Sequence, residues 1–126
     1  PTVDCNIAMD AVDRVLCNDP PNNASVAIDW DEPANGWNAP KLSDWLEDAI
    51  EDASQSFYNK SAMAMGEGGT IPFMAMLGEQ FPAAQFVVTG VLGPNSNAHG
   101  PNEFIHIPFA KKLSASIAFI LNRYPS

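Results

Sequence analysis

The stretch Gln85-Phe86-Val87-Val88-Thr89-Gly90-Val91-Leu92-Gly93-Pro94-Asn95-Ser96-Asn97-Ala98-His99-Gly100-Pro101-Asn102-Glu103 decides how this chain is read. Its first part, Gln85 to Val91, is almost continuously apolar, the pattern of a strand covered on both faces. Its second part is pinned by Gly93, Pro94, Gly100 and Pro101, and it places His99 in a loop rather than on an apolar stripe. The residues from about Ile105 to Arg123 then predict a helix, with Pro108 in the first turn, where a missing N–H costs little.

Working outward, the same order recurs upstream. A short strand is predicted over Ala62 to Met65, followed by the glycine loop Gly66-Glu67-Gly68-Gly69-Thr70-Ile71-Pro72 and a helix from about Pro72 to Gln80. Strand, loop and helix in alternation predict an α/β fold with a parallel sheet covered on both faces. In such a sheet both loops emerge at the carboxyl edge, where ligands bind, and the two loops are expected to share one site. Before them, Leu42, Trp45, Leu46, Ala49, Ile50, Ala53 and Phe57 recur at helical spacing, with Asp44, Glu47, Asp48, Glu51 and Asp52 on the opposite, solvated face.

The amino-terminal part reads as a small unit of its own. Ile7, Ala8, Ala11, Val12, Val15 and Leu16 predict a helix from Asn6 to Asn18, with Asp4 or Asn6 as N-cap. Val26, Ile28 and Trp30 then alternate with Ala27 and Asp29 as a half-buried strand. Pro33, Asn35-Gly36 and Pro40 break the chain, so the division falls near Pro33, between residues 1–33 and residues 34–126. Trp37 and Trp45 are read as packing residues.

Composition bounds the possibilities. A net charge of −9 with six Lys and Arg excludes the basic face that nucleic acid or an anionic membrane requires. Acid is uneven: twelve of the fifteen Asp and Glu lie at or before Asp52. No apolar run reaches the roughly 20 residues of a membrane span, and the sequence begins with neither a signal peptide nor an initiator Met. Cys5 and Cys17 stand near opposite ends of the first predicted helix, about 18 Å apart, too far for a disulfide. Free thiols fit a reducing cytoplasm.

The loops carry the candidate chemistry. Gly68 and Gly69 permit a backbone that turns several N–H groups toward one point, and Thr70 adds a hydroxyl before a helix N-terminus, an anion seat suited to a carboxylate. A plain strand-to-helix turn is the competing reading. Glu67 beside that seat pairs with a substrate ammonium, orients another group, or is a solvated loop residue. His99 is either a ligand or catalytic group or a structural one; His106, at the start of the last helix, reads as structural. Asn102 and Glu103 either bond the far nitrogen of His99, as residues behind a metal ligand do, or cap the last helix. No serine sits in a nucleophile elbow, which excludes Ser chemistry of that kind.

The ordered pair Glu67-Gly68-Gly69-Thr70-Ile71-Pro72 and Gly93-Pro94 through Ala98-His99-Gly100-Pro101-Asn102-Glu103 resembles the carboxyl-terminal part of the di-zinc peptidases that include carnosinases, glutamate carboxypeptidase, aminoacylase and succinyl-diaminopimelate desuccinylase. The similarity is greatest to the dipeptidase branch and extends over the whole chain. It implies a phosphorylase/hydrolase-like parallel-sheet catalytic domain over residues 34–126. Residues 1–33 would be the last helix and strand of a ferredoxin-like lid or dimerisation domain. It further implies that His99 is the last ligand of a two-zinc site. Gly68, Gly69 and Thr70 would hold the substrate carboxylate, with Glu67 at its amino end or in the shell near the metal, and Asn102 and Glu103 would stand behind the ligand.

The other ligands and the general base of that family precede the region covered here. The resemblance therefore implies a fragment: a parent that hydrolyses a dipeptide or N-acyl amino acid, and a chain inactive by itself because one histidine cannot hold a catalytic zinc. The expected partners are the missing amino-terminal part and a second copy, as a homodimer or swapped oligomer. A non-enzymatic module that binds a small carboxylate or serves assembly is the alternative.

Overall fold

A computed structural model describes residues 1–66 and 72–125. Regular structure among them is helical: α1 (Cys5–Cys17), α2 (Asp44–Tyr58), α3 (Pro72–Gln80) and α4 (Ile107–Asn122), with a 3₁₀ turn at Pro21–Asn23. The chain forms two compact units, Pro1–Ala39 with Gly66–Ala84, and Pro40–Met65 with Gln85–Ser126.

In the first unit, α1 starts where Asp4 supplies an acceptor for its orphan amides. The Asp4 carboxylate accepts from the N–H groups of Asn6 (2.9 Å) and Ile7 (3.2 Å). The helix ends at Asn18, ahead of Asp19 with φ of 53° and the Pro20-Pro21 pair. Its apolar stripe is not buried: Ile7 is 69% and Val15 76% exposed. Polar contacts hold the following chain to it instead. The Trp30 indole N–H donates to Asp13 Oδ1 (3.0 Å), the Cys17 thiol to the Val26 carbonyl (3.7 Å), and the Cys5 amide to Asn35 Oδ1 (2.9 Å). Both cysteines are free thiols. At Gly36 an added Cβ would lie 2.7 Å from the Pro1 Cα, so glycine is needed for the backbones to approach.

The second unit has the only buried apolar cluster among the described residues. Leu46, Ala49 and Ala53 of α2 meet Ile120 of α4, and Leu42, Trp45, Ile50, Phe57 and Phe119 pack around them. The helices run antiparallel, since Trp45 meets Tyr124 edge to face (5.4 Å between ring centres) while Tyr58 at the other end of α2 meets Phe109 (5.6 Å). Ala49 and Ala53 keep the α2 surface low at the contact, and Ser116 of α4 is buried as well. The Ser116 hydroxyl is satisfied within its own helix by the Lys112 carbonyl (2.9 Å).

Local chemistry fixes the ends of α2. Asp44 and Glu47 place negative charge in its first turn, favourable to the helix dipole. Asn59 closes its end in the left-handed conformation (φ 54°). The Glu51 carboxylate then accepts from Gln55 Nε2 (2.9 Å) and the Ala62 amide (2.8 Å), folding the exit chain back onto the helix. These bonds, the Gln55 amide foremost, hold the Glu51 carboxyl below the ordinary glutamate range.

The α/β expectation is overturned. Among the described residues there is no strand and no sheet, so neither the parallel-sheet, phosphorylase/hydrolase-like domain nor the strand of a ferredoxin-like lid is present. The segments expected as strands, Val26 to Trp30, Ala62 to Met65 and Gln85 to Val91, carry no helix and no ladder. The reason lies in what a strand is. Apolar alternation marks residues that profit from a sheet, but the ladder bonds must come from a neighbour. Without one the apolar residues stay in water: Met63 is 92% and Val88 60% exposed. A shared carboxyl edge for the two loops loses its basis for the same reason.

Leu46, 1% exposed, is the largest fully buried side chain of the core. Leu46→Ala should lower the unfolding free energy by about 2–5 kcal/mol in urea unfolding followed by circular dichroism. A loss below about 0.5 kcal/mol, the range of surface substitutions, would show that this contact does not hold α2 to α4.

Candidate functional site

The histidine loop belongs to the second unit and is built from successive tight turns. Gly93 O accepts from the Ser96 amide (3.1 Å), closing a turn with Pro94 and Asn95 at its centre and Asn95 at φ 66°. Proline followed by a residue of positive φ is the type II arrangement. Asn97 O accepts from the Gly100 amide (2.9 Å), and this second turn has His99 at the corresponding position, φ 61°. Histidine tolerates the left-handed region better than most residues, yet still at a cost of about 1 kcal/mol. Something must hold it there.

Two contacts do. The His99 amide donates to Glu103 Oε2 (3.2 Å), and the Asn97 side-chain amide donates to the Pro101 carbonyl (2.5 Å). Asn97 lies so close over Gly100 that an added Cβ there would stand 2.6 Å from its amide nitrogen, which excludes any other residue at 100 without displacing that bond. Asn102 also takes positive φ (58°). The outcome is an exposed imidazole on a backbone fixed from both sides.

Glu103 therefore meets His99 through the backbone amide of the histidine. It also lines a shallow cleft with Val91, Leu92, Phe104 and Ile105, the two flanks of the loop. Helix α4 is capped by neither Asn102 nor Glu103. His106 is its N-cap, with Nδ1 accepting from the Phe109 amide (3.1 Å). Spacing gave no sign of this, because histidine is not among the usual capping residues. The other residue that pattern alone misses is Ser96, whose signal is burial. Glu67, Gly68, Gly69 and Thr70 lie outside the described residues.

A zinc site requires three or four protein donors of the His, Cys, Asp and Glu types. Among the described residues no three such side chains come together. His99 offers one imidazole, and the nearby Glu103 oxygen is engaged by an amide. This donor set does not fit a zinc ion by itself, and no step of a reaction is assigned to one in this chain. Among the described residues, no helix is long and apolar enough to cross a membrane.

Comparison with known proteins adds one finding. The profile of Peptidase family M20/M25/M40 matches residues 3–123. No curated protein matches the chain.

The cap on α4 can be tested directly. His106→Ala should cost about 1 kcal/mol of stability in thermal unfolding, and His106→Asn, which restores a side-chain acceptor, should recover most of it. Equal stability of the wild type and the alanine variant would show that the cap does no work.

Proposed function

We propose, from the premise that the chain belongs to peptidase family M20/M25/M40, that it is part of a zinc-dependent metallopeptidase or amidohydrolase cleaving the amide bond of a dipeptide or N-acyl amino acid. The observation that carries this reading is the match over residues 3–123, which contains both the glycine loop and the His99 loop. Within it, His99 supplies one imidazole to a metal site whose other donors, and whose general base, come from outside this chain. The fixed left-handed backbone at His99 supports that role, since strain of this kind persists where the surroundings over-determine a functional group.

Substrate placement is assigned to the other loop on the chemistry of its sequence. Gly68 and Gly69 carry no side chain, and they and the Thr70 hydroxyl are assigned to the substrate carboxylate, with Glu67 assigned to its amino end. Binding the carboxylate end orients the amide bond, and orientation alone is worth several orders of magnitude in rate when catalytic groups are in place. The dipeptidase branch is favoured by the two motifs, and the free thiols Cys5 and Cys17 support a reducing compartment.

The purified chain incubated with zinc and a panel of dipeptides and N-acetyl amino acids should release no amino acid above a metal-only control. Turnover above that control would overturn the view that this chain carries only part of a catalytic site.

A further inference from the structure

We propose that Ser96 is the positioning residue of the His99 loop, the group that closes it and thereby sets where the imidazole stands. The proposal deepens the reading of His99 given above and rests on it only for its functional meaning.

Ser96 is 3% exposed, although Asn95 and Asn97 on either side of it are exposed. It is one of two buried polar residues among the described ones, and the other, Ser116, lies within α4 and bonds to its own helix. A buried hydroxyl must be satisfied, and this one is satisfied twice by a single residue. It accepts from the Gly93 amide (2.8 Å) and donates to the Gly93 carbonyl (2.7 Å). Its backbone serves the same loop: the Ser96 amide donates to Gly93 O (3.1 Å), and the Ser96 carbonyl accepts from the Phe104 amide (3.2 Å).

Every polar group of Ser96 is thus spent on closure. The bonds to Gly93 fix the entry of the loop, and the bond from Phe104 ties its exit to the same residue, so that Ser96 and Phe104 form the neck of the segment carrying His99. Within that neck the turn at Asn97 to Gly100 and the Glu103 carboxylate hold His99 at φ 61°. A loop whose ends are tied at one point loses far fewer arrangements on placing its tip than an open one, and that lowers the cost of presenting a ligand in one orientation. Glycine and proline shape the turns; the serine hydroxyl locks them together.

Ser96→Ala removes the hydroxyl and leaves the backbone bonds possible, whereas Ser96→Thr keeps the hydroxyl. Amide hydrogen exchange measured by NMR should rise about tenfold at Phe104 and His99 in Ser96→Ala, the loss of a bond of ordinary net strength, with the amides of α2 and α4 unchanged. Coupling constants should show His99 leaving positive φ in that variant, and Ser96→Thr should retain both the protection and the φ. Unchanged exchange in Ser96→Ala overturns the proposal. So does an equal rise across α2 and α4, which makes Ser96 a general stability residue, and so does loosening in Ser96→Thr equal to that in Ser96→Ala. The role of the imidazole fails separately: His99→Gln in the longer protein that keeps its full metal content refutes the ligand reading while leaving the loop closure intact.

Discussion

The contact between α2 and α4 is the constraint on which the second unit depends. Leu46, Ala49, Ala53 and Ile120 make the only buried apolar cluster among the described residues, and the aromatic pairs at both ends of the helices extend it. Because α4 is held there, its first turn is held as well, and the His99 loop runs into that turn through Phe104, Ile105 and His106. Because α2 is held, Glu51 and Asn59 can fold the chain leaving it back onto the helix. A cluster of four residues is small beside the conformational entropy it must offset. Exposed apolar residues such as Met63 and Val88 contribute nothing to it.

The loop is organised on a different principle. Its order comes from short-range hydrogen bonds and from residues that accept positive φ, three of them asparagine and one of them His99. Such a segment can be well shaped without a large core beneath it, because its turns are satisfied locally. This separates presentation of the imidazole, which the loop achieves with its own hydrogen bonds, from assembly of a metal site, for which no three donors come together among the described residues.

What the sequence revealed follows the same division between local and non-local causes. The helices were legible because caps and apolar spacing are local: α3 falls on Pro72–Gln80, and α1, α2 and α4 lie within about two residues of the ends that spacing and breakers suggest, the usual uncertainty of helix ends. The strands were not, because Gln85 to Val91 has the composition of a strand, yet a strand needs a ladder from a neighbour and none forms among the described residues. Nothing in the sequence pattern marks Ser96, which stands in no nucleophile motif; its signal is burial. The family was legible from two loops in order, since glycine, histidine and asparagine at those places record demands of backbone and chemistry rather than of burial.

On the function proposed above, His99 is a preformed donor that becomes a metal ligand only together with donors from outside the 126-residue chain. The most direct measurement replaces the native metal by an NMR-active cadmium isotope in the longer protein with labelled histidine, and looks for scalar coupling to a ring nitrogen of His99. That coupling is expected in the longer protein and is expected to be absent in the 126-residue chain. Cadmium bound in the longer protein without coupling to His99 would contradict it.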